Sequence, residues 1–470
     1  MKHFGLFFSF LAFPPLALLL SGCGGGTSSV GQTEQIITFD NPGTQTVGAP
    51  LALSATANSG LAVSFASTTP SICTVSGTTA TFGAAGTCTI DASVAGNGTY
   101  TVASPVAQSF TVNPAIGATT TVYIVGEAIT SPPGASDETS APEEWRLKSG
   151  SPTAAATPLS VPSGMTASAA NAIVVSGGDV YVAGTVSNST SESAVYWVNG
   201  TVTTLSLPSG MENSQASAIA VSGGNVYVAG SASSSAGIGT AILWVNGTPT
   251  TLPPPSGMVN CYAAAIAVSG GDVYVAGGAW NNDIDEWATY WVNGAATLLP
   301  MPSGLTVDYY ANGIAVSGGD VYVSGYTDSR MGQSAAVSWA NSGAATTLPL
   351  PSGWFFEAYT ANGITVSGSN VYVAGGGVNG VGSTTAAYWV NGTPKPLPMP
   401  SNMPDSSAAS YAQGIAISGS DVYAVGYLGD STIGAGQTAA YWVNDGEGTL
   451  LPMPNGAHES WAKAITVSTQ

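Results

Sequence analysis

The sequence predicts an all-β protein in which a small β-sandwich is followed by a seven-bladed β-propeller of four-stranded blades. Three observations carry this prediction. Four strand-like motifs recur seven times after residue 120, and Gly-rich or Asn-Gly turns separate them. Residues 34–113 show a different pattern, with short alternating runs between Gly, Pro and Asn. Four antiparallel strands in about 47 residues match the size of one propeller blade.

The repeat is clearest in the motif Val-Tyr-Val-Ala-Gly, here named strand B. Its tyrosines are Tyr123, Tyr181, Tyr227, Tyr274, Tyr322, Tyr372 and Tyr423. After a first gap of 58 residues, they follow one another at intervals of 46 to 51 residues. Strand A (Ala/Gly-Ile-x-Val-Ser) precedes strand B. Strand C (usually Tyr-Trp-Val-Asn-Gly) and the Leu-Pro-containing strand D follow it.

Each strand A carries an isoleucine and each strand C a tryptophan. The isoleucines are Ile173, Ile219, Ile266, Ile314, Ile364, Ile415 and Ile465. The tryptophans are Trp145, Trp197, Trp244, Trp291, Trp339, Trp389 and Trp442. Strict alternation would place Ile314 on one face of its strand, and Ala311 with Gly313 on the other. We therefore expect large residues of one blade to pack on small residues of the next.

The turns and the ends of the array predict how the ring closes. The C–D connection is commonly Asn-Gly, which favours a type I′ hairpin. The repeats start with strand B at residues 122–126 and end with strand A at residues 464–468. The last strand is therefore expected to complete the first blade and remove the open sheet edges. The propeller is assigned to residues 120–470.

Two resemblances accompany these patterns. The stretch at residues 51–100, beginning Leu-Ala-Leu-Ser-Ala-Thr, resembles bacterial Ig-like domains of cell-surface proteins. That resemblance implies a spacer role for residues 34–113, whose alternating runs predict a sandwich. The repeats resemble the propellers of bacterial lipoproteins in the Kelch-like size class.

The first residues predict export and lipidation. An apolar run at residues 4–20 leads into Leu20-Ser21-Gly22-Cys23, which resembles the lipobox of bacterial lipoproteins. The resemblance implies a signal peptide at residues 1–22, cleavage before Cys23 and lipidation of that cysteine. Residues 23–33 then hold the lipidated Cys and a flexible tether. Gly24 implies, by the same analogy, attachment at the outer membrane or cell surface.

The remaining cysteines fit an exported protein. Cys73 and Cys88 are 15 residues apart within the predicted sandwich, and an oxidising compartment allows them to form a disulfide. A loop of that size would stabilise the sandwich by about 3 kcal/mol. Cys261 is left over and is interpreted as a small residue in a loop. No Cys/His spacing suits zinc.

Composition excludes some functions. The chain has 470 residues, with six Lys and Arg against 25 Asp and Glu, and a net charge of −19. Six basic residues cannot form the positive surface that nucleic acid requires, so no nucleic-acid partner is expected. An apolar content of 44% is enough for a packed core rather than disorder. We expect a monomer without a cofactor.

A binding face is predicted from loop variation. The A–B and C–D turns are nearly constant, whereas the B–C and D–A loops vary, and variable loops on a rigid scaffold tend to carry function. Four residues before the strand A isoleucines, the aromatic residues are Tyr262, Tyr310, Tyr411 and Trp461. Two residues before them, the candidate amides are Asn312, Asn362 and Gln413. Aromatic rings beside amides suit a glycan or a protein ligand; packing between blade tops is the alternative.

Acidic loops suggest two further sites. Asp283, Asp285 and Glu286 place three carboxylates within four residues, so this loop could contribute to a calcium site; a solvated loop is the alternative. Asp308 and Glu357 lie in neighbouring D–A loops and could act as an acid–base pair. His458 is interpreted as a surface loop residue.

The sequence therefore favours a non-catalytic, lipid-anchored envelope protein whose propeller binds a glycan or protein. In this interpretation the Ig-like sandwich is a spacer between membrane and propeller. A carbohydrate-active hydrolase or lyase that uses loop carboxylates is one alternative. A structural envelope protein without a ligand is another.

Overall fold

The computed structural model describes residues 32–113, 120–131, 139–148, 154–281, 286–301, 308–328, 334–351, 354–379, 383–401, 403, 409–430 and 435–469. Every regular element in these residues is a β-strand. In this part of the chain no helix is long and apolar enough to cross a membrane. The predicted signal peptide and Cys23 lie outside the described residues.

The N-terminal unit is a sandwich of short strands. Its strands are β1 (Ile37–Thr38), β2 (Gln45–Thr46), β3 (Leu51–Ala52), β4 (Thr56–Ala57), β5 (Ser64–Ser67), β6 (Cys73–Ser76), β7 (Thr79–Phe82), β8 (Gly86–Ser93) and β9 (Val106–Asn113). One sheet has the order β2-β9-β8-β5, a second has the order β3-β7-β6, and β1 pairs with β4. Phe39, Phe82, Ile90 and Phe110 belong to its hydrophobic core.

The predicted disulfide is present in this unit. Cys73 and Cys88 are bonded, with their Cα atoms 5.8 Å apart, and both are buried. Cys73 begins β6 and Cys88 lies in β8, so the bond joins the two main sheets across the core.

The remaining strands form seven four-stranded sheets. In chain order they are: for blade 1, β10 (Thr120–Ile129), β11 (Ser140–Lys148) and β12 (Ala155–Pro158); for blade 2, β13 (Ala167–Ser176), β14 (Asp179–Ser187), β15 (Glu192–Val198) and β16 (Thr201–Thr204); for blade 3, β17 (Asn213–Ser222), β18 (Asn225–Ser233), β19 (Gly239–Val245) and β20 (Thr248–Leu252); for blade 4, β21 (Asn260–Ser269), β22 (Asp272–Trp280), β23 (Glu286–Val292) and β24 (Ala295–Leu298); for blade 5, β25 (Asp308–Ser317), β26 (Asp320–Asp328), β27 (Ser334–Ala340) and β28 (Thr346–Thr347); for blade 6, β29 (Trp354–Ser367), β30 (Asn370–Asn379), β31 (Thr384–Val390) and β32 (Thr393–Pro396); for blade 7, β33 (Ala409–Ser418), β34 (Asp421–Asp430), β35 (Ala435–Val443) and β36 (Thr449–Leu450); and, last, β37 (Glu459–Thr469).

The ring closes as predicted. Strand β37 pairs antiparallel with β10, so that blade 1 has the order β12-β11-β10-β37. The final strand therefore supplies strand A of the first blade. In every blade strands A to D follow one another from one side of the sheet to the other.

The strand C tryptophans connect neighbouring blades. All seven are at most 2% exposed. Trp291 Nε1 donates a hydrogen bond to the carbonyl oxygen of Pro253 in the preceding blade, at 2.7 Å. Trp145 makes the equivalent bond to Pro452 across the closure. The Leu-Pro motif of strand D thus supplies both a buried leucine and the acceptor for the next blade's indole.

The Asn-Gly turns have the predicted left-handed conformation. Asn199 and Gly200 have φ angles of 50° and 81°, as a type I′ turn requires. The Asn199 side chain also accepts a hydrogen bond from the backbone N–H of Val180 and donates one to Asp179. These side chains join the C–D turn to the A–B turn of the same blade.

A β-bulge changes the expected alternation in strand A. In blade 5, Ala311 pairs with Gly325 and Gly313 with Ser324, so Asn312 is the extra residue. The bulge therefore places the Ala311 side chain on the same face of the strand as Ile314. Both residues belong to one hydrophobic cluster. The assignment of Ala311 to the small-residue face was wrong. Packing of large on small residues is still present, because a Cβ atom at Gly313 would lie 2.9 Å from Ile364 Cγ2 in blade 6.

Ala311→Leu is expected to destabilise the propeller. Ala311 is 0% exposed, and three extra carbons in a packed site cost about 1–3 kcal/mol. Urea unfolding of the variant should show this loss. Ala295→Leu, on an exposed position of an outer strand, is the matched control and should leave the free energy of unfolding nearly unchanged. Equal stability of both variants would contradict the packing described here.

The sandwich packs against the A–B turn side of the ring. A Cβ atom at Gly368, in the A–B turn of blade 6, would lie 3.0 Å from Thr87 Cβ in the sandwich. Residues of both units, including Ile72 and Ile417, line a cavity of about 540 Å³ between them. The strand ends that lead into the B–C and D–A loops lie at the opposite end of the blades, away from this contact.

Candidate functional site

The strand A bulges turn one residue of every blade toward the central channel. A bulge re-aims the side chain of its extra residue. The seven bulge residues are Asn171, Ser217, Ala264, Asn312, Asn362, Gln413 and Lys463. All seven line one channel cavity of about 510 Å³. The series that the sequence placed at the channel mouth is therefore brought together.

Several of these side chains also hold blades together. The Asn312 Nδ2 group donates to the carbonyl oxygen of Ala361 at 3.1 Å, and Asn362 Nδ2 donates to Ala412 at 2.9 Å. Each bond crosses to the next blade. Lys463 Nζ donates to Asn171 Oδ1 of blade 2 at 3.3 Å, and it lies 2.9 Å from Glu127 Oε1 within its own blade. Asn312 and Asn362 thus have a structural role besides facing the channel, whereas Gln413 contributes to its lining.

Half-buried aromatic pairs lie at the loop end of strands A and B. Tyr310 stacks on its cross-strand partner Tyr326, with ring centroids 4.6 Å apart and planes 15° apart. Tyr411 pairs in the same way with Tyr427, at 5.8 Å and 23°. In blade 4, Tyr262 lies 6.2 Å from Trp280. The three pairs, in blades 4, 5 and 7, form what we call the aromatic arc.

Two of the predicted aromatics also make hydrogen bonds between blades. The hydroxyl groups of Tyr411 and Thr360 are hydrogen-bonded. A Cβ atom at Gly376 would lie 2.9 Å from Tyr411 Cδ2, so this ring fills space in blade 6. Trp461 Nε1 donates to Gln437 Oε1. These contacts fix the rings, which is useful for a binding surface because little side-chain freedom is left to lose on binding.

A carboxyl group lies beside the aromatic arc. The backbone N–H of Glu286 donates to Asp308 Oδ1 at 3.0 Å. The Glu286 side chain is hydrogen-bonded to Tyr262. Its Oε1 atom is buried without a hydrogen-bond partner among the described residues. Burial raises the pKa of Glu286 to about 7, and the negative charge of Asp308 adds to that rise. Glu286 therefore keeps its proton to higher pH than an exposed glutamate does.

The other acidic and catalytic candidates have different outcomes. Asp283 and Asp285 lie outside the described residues, so the calcium site stays a prediction. The side chain of Glu357 also lies outside them, so its acid–base pairing with Asp308 stays a prediction too. Within the described part of the chain, no group of three His, Cys, Asp or Glu residues could hold a metal ion.

Cys261 is not in a loop as predicted. It lies in strand β21 and is 1% exposed. Its Sγ atom accepts a hydrogen bond from the backbone N–H of Ala241 at 3.4 Å. Ser214 and Ser410 accept the equivalent bond in other blade pairs. Cys261 thus replaces a repeated structural serine.

The strand B partners of the arc were not predicted from the sequence; they are Trp280, Tyr326 and Tyr427. The two-residue A–B turn fixes the register next to the turn, and that register alone would pair Tyr326 with Ala311. The bulge shifts the pairing by one residue, so that Tyr326 faces Tyr310 in blade 5 and Tyr427 faces Tyr411 in blade 7. These partners could therefore be predicted only together with the bulge.

Among known proteins, the chain is similar to solved structures only. No protein-family model matches the chain, and no curated protein matches it. A quinoprotein alcohol dehydrogenase-like protein from Bacteroides thetaiotaomicron matches with 10% identity and a TM-score of 0.38, over 93% of this chain and 97% of that one. The β-propeller domain of the Trilobed protease from Pyrococcus furiosus matches with 10% identity and a TM-score of 0.39, over 71% and 93%.

A GH43_1 enzyme from Xanthomonas citri matches with 11% identity and a TM-score of 0.30, over 52% of this chain and 90% of that one. All three scores are below 0.5. The propeller architecture therefore rests on the strand pairing described above, and these similarities carry no functional assignment.

Proposed function

We propose that the propeller binds a glycan through its variable-loop face. The observation that supports this proposal is the aromatic arc, whose rings are half-buried at the loop end of the blades and include Tyr411, which also lines the channel beside the bulge amides. Flat aromatic faces pack against the C–H faces of sugar rings, while amides and carboxylates bond to hydroxyl groups. Attachment of the sandwich at the other end of the ring leaves this face accessible.

The protein is proposed to act at the bacterial surface. The Leu20-Ser21-Gly22-Cys23 motif supports a lipid anchor on Cys23, at the outer membrane or cell surface. The Cys73–Cys88 disulfide supports export, because such bonds persist in oxidising compartments. The sandwich, proposed to be Ig-like, would act as the spacer that carries the propeller away from the membrane.

Binding should depend on the stacked tyrosines. The full chain, purified in detergent, would be applied to a glycan array beside a Tyr310→Ala/Tyr326→Ala variant. We expect the variant to lose at least tenfold in affinity, because the stacked platform is removed; this equals about 1.4 kcal/mol. Tyr227→Ala, a half-buried strand B tyrosine near the opposite turn face, is the control.

Retained binding by the double variant would contradict the assignment of this face. Equal loss in the Tyr227→Ala control would show a general effect of instability instead. An array without any bound glycan would favour a protein ligand or a structural envelope role, and the proposed glycan function would be rejected.

Glycoside hydrolysis is a second candidate function, supported by Glu286. A carboxyl group with a pKa of about 7 beside a second carboxyl group, Asp308, is the kind of pair that divides acid and base roles. Polysaccharide turnover that disappears in Glu286→Gln and Asp308→Asn would establish an enzyme. Binding without turnover would leave the glycan-binding function alone.

A further inference from the structure

A pocket lies at the loop end of blade 3, where one side chain is missing from a repeated position. Five residues before each strand C tryptophan, the residues are Ser140, Glu192, Gly239, Glu286, Ser334, Thr384 and Gln437. Only blade 3 has glycine there. A cavity of about 170 Å³ is lined by Gly239 together with residues of blades 2, 3 and 4.

One wall of this inter-blade pocket is aromatic. Trp280 and Tyr262 of blade 4 line it. A Cβ atom at Gly239 would lie 3.3 Å from Trp280 Cη2, so the indole lies against the glycine. Any side chain at residue 239 would move this ring or occupy the pocket.

The rest of the lining is largely polar, and hydrogen bonds connect its side chains. Gln215 Nε2 donates to Glu192 Oε2 at 2.9 Å, and the backbone N–H of Glu192 donates to Asn213 Oδ1 at 3.0 Å. Ser231 and Ser233 also line the pocket. A carboxylate, two amides and two serines therefore line the same small cavity as the aromatic rings.

We infer that this inter-blade pocket binds a single uncharged sugar ring, a site that deepens the proposed glycan binding and rests on it. The cavity volume of about 170 Å³ equals that of about six water molecules at 30 Å³ each, which suits one sugar ring. The indole offers a flat face for stacking, and the Glu192 carboxylate can accept bonds from hydroxyl groups. The same carboxylate disfavours an anionic ligand.

Saturation-transfer NMR with methyl glycosides of glucose, galactose, mannose and xylose tests this inference on the full chain in detergent. We expect at least one glycoside to bind, with at least tenfold weaker affinity in Gly239→Ser. Serine occupies the equivalent position in blades 1 and 5, and Gly239 has no positive φ angle, so the backbone tolerates it. Glu192→Gln should weaken binding as well. Glu212→Gln, an exposed residue nearby that does not line the pocket, is the charge-matched control.

The outcomes separate this pocket from the proposed face. Array binding that depends on Tyr310 and Tyr326 but is unaffected by Gly239→Ser, with no glycoside bound, would reject the pocket and keep the glycan function. Glycoside binding lost in Gly239→Ser supports the pocket whatever the tyrosine variant does. If Gly239→Ser does not fold, unchanged affinity in Glu192→Gln and Trp280→Phe would overturn the inference.

Discussion

Gly325→Ala is expected to destabilise the protein by about 3 kcal/mol or more, in the range of severe single substitutions. Gly325 is the last residue of the strand B motif in blade 5. A Cβ atom there would lie 1.8 Å from the carbonyl oxygen of Tyr310. That contact involves backbone on a paired strand, so no rotamer change relieves it.

The consequence would extend to the channel. Relief of the clash requires strands β25 and β26 to separate at the bulge around Asn312. The hydrogen bond from Asn312 to Ala361 of blade 6 and the position of Tyr310 would then be lost together. We expect the loss of stability to be accompanied by loss of the stacked Tyr310–Tyr326 pair.

Urea unfolding followed by tryptophan fluorescence would measure this effect. Gly83→Ala is the matched control, since a Cβ atom there has nothing within 4 Å and its φ is not positive; it should be neutral or slightly stabilising. A Gly325→Ala protein within about 1 kcal/mol of the wild type would show that the close backbone approach is not required.

Gly325 illustrates which parts of the fold can be predicted from the sequence and which cannot. Strand number, blade number, turn type and ring closure follow from local patterns that repeat seven times, so each copy supports the others. The bulge was not predicted, because the strand A motif can still be recognised as a strand when one extra residue is inserted into it. The invariant glycine of strand B, at Gly325 and its six equivalents, was the signal, since glycine marks close backbone approach.

The site was less accessible to prediction than the fold. Tyr262, Tyr310 and Tyr411 could be placed at one end of strand A from their spacing alone. The pairing of Tyr411 with Thr360 and the burial of the Glu286 carboxyl group depend on how adjacent blades meet. Such contacts join residues about 20 to 50 positions apart, and single-strand periodicity carries no information about them.

Stability is expected to fall as pH rises through about 7, in part because of Glu143. This residue is 3% exposed in strand β11, and its Oε2 atom lacks a hydrogen-bond partner among the described residues. In other blades the equivalent position holds buried apolar residues such as Val195 and Ile242. Burial raises the pKa of Glu143 from 4.5 to about 7. The folded state therefore holds this proton more tightly than the unfolded state.

The sign of the pH effect follows from that difference. The contribution of the protonated carboxyl group is complete below pH 4.5, and it is lost as pH rises through about 7. The loss approaches about 3 kcal/mol in alkaline solution, at about 1.4 kcal/mol per pKa unit. Glu143→Gln removes the ionisation. Its free energy of unfolding should match the wild type at pH 5 within about 1 kcal/mol and exceed it by up to about 3 kcal/mol at pH 8.5.

Comparison with a variant is necessary because Glu286 also has a raised pKa and adds its own pH dependence to the wild-type curve. Subtraction of the Glu143→Gln curve cancels that contribution, since the two carboxyl groups lie in different blades, β11 of blade 1 and β23 of blade 4. Glu212→Gln, at an exposed position, should differ from the wild type by the same small amount at both pH values. A Glu143→Gln difference that does not change between pH 5 and pH 8.5 would mean that Glu143 ionises normally in the folded protein, and therefore that water or a cation reaches it inside blade 1.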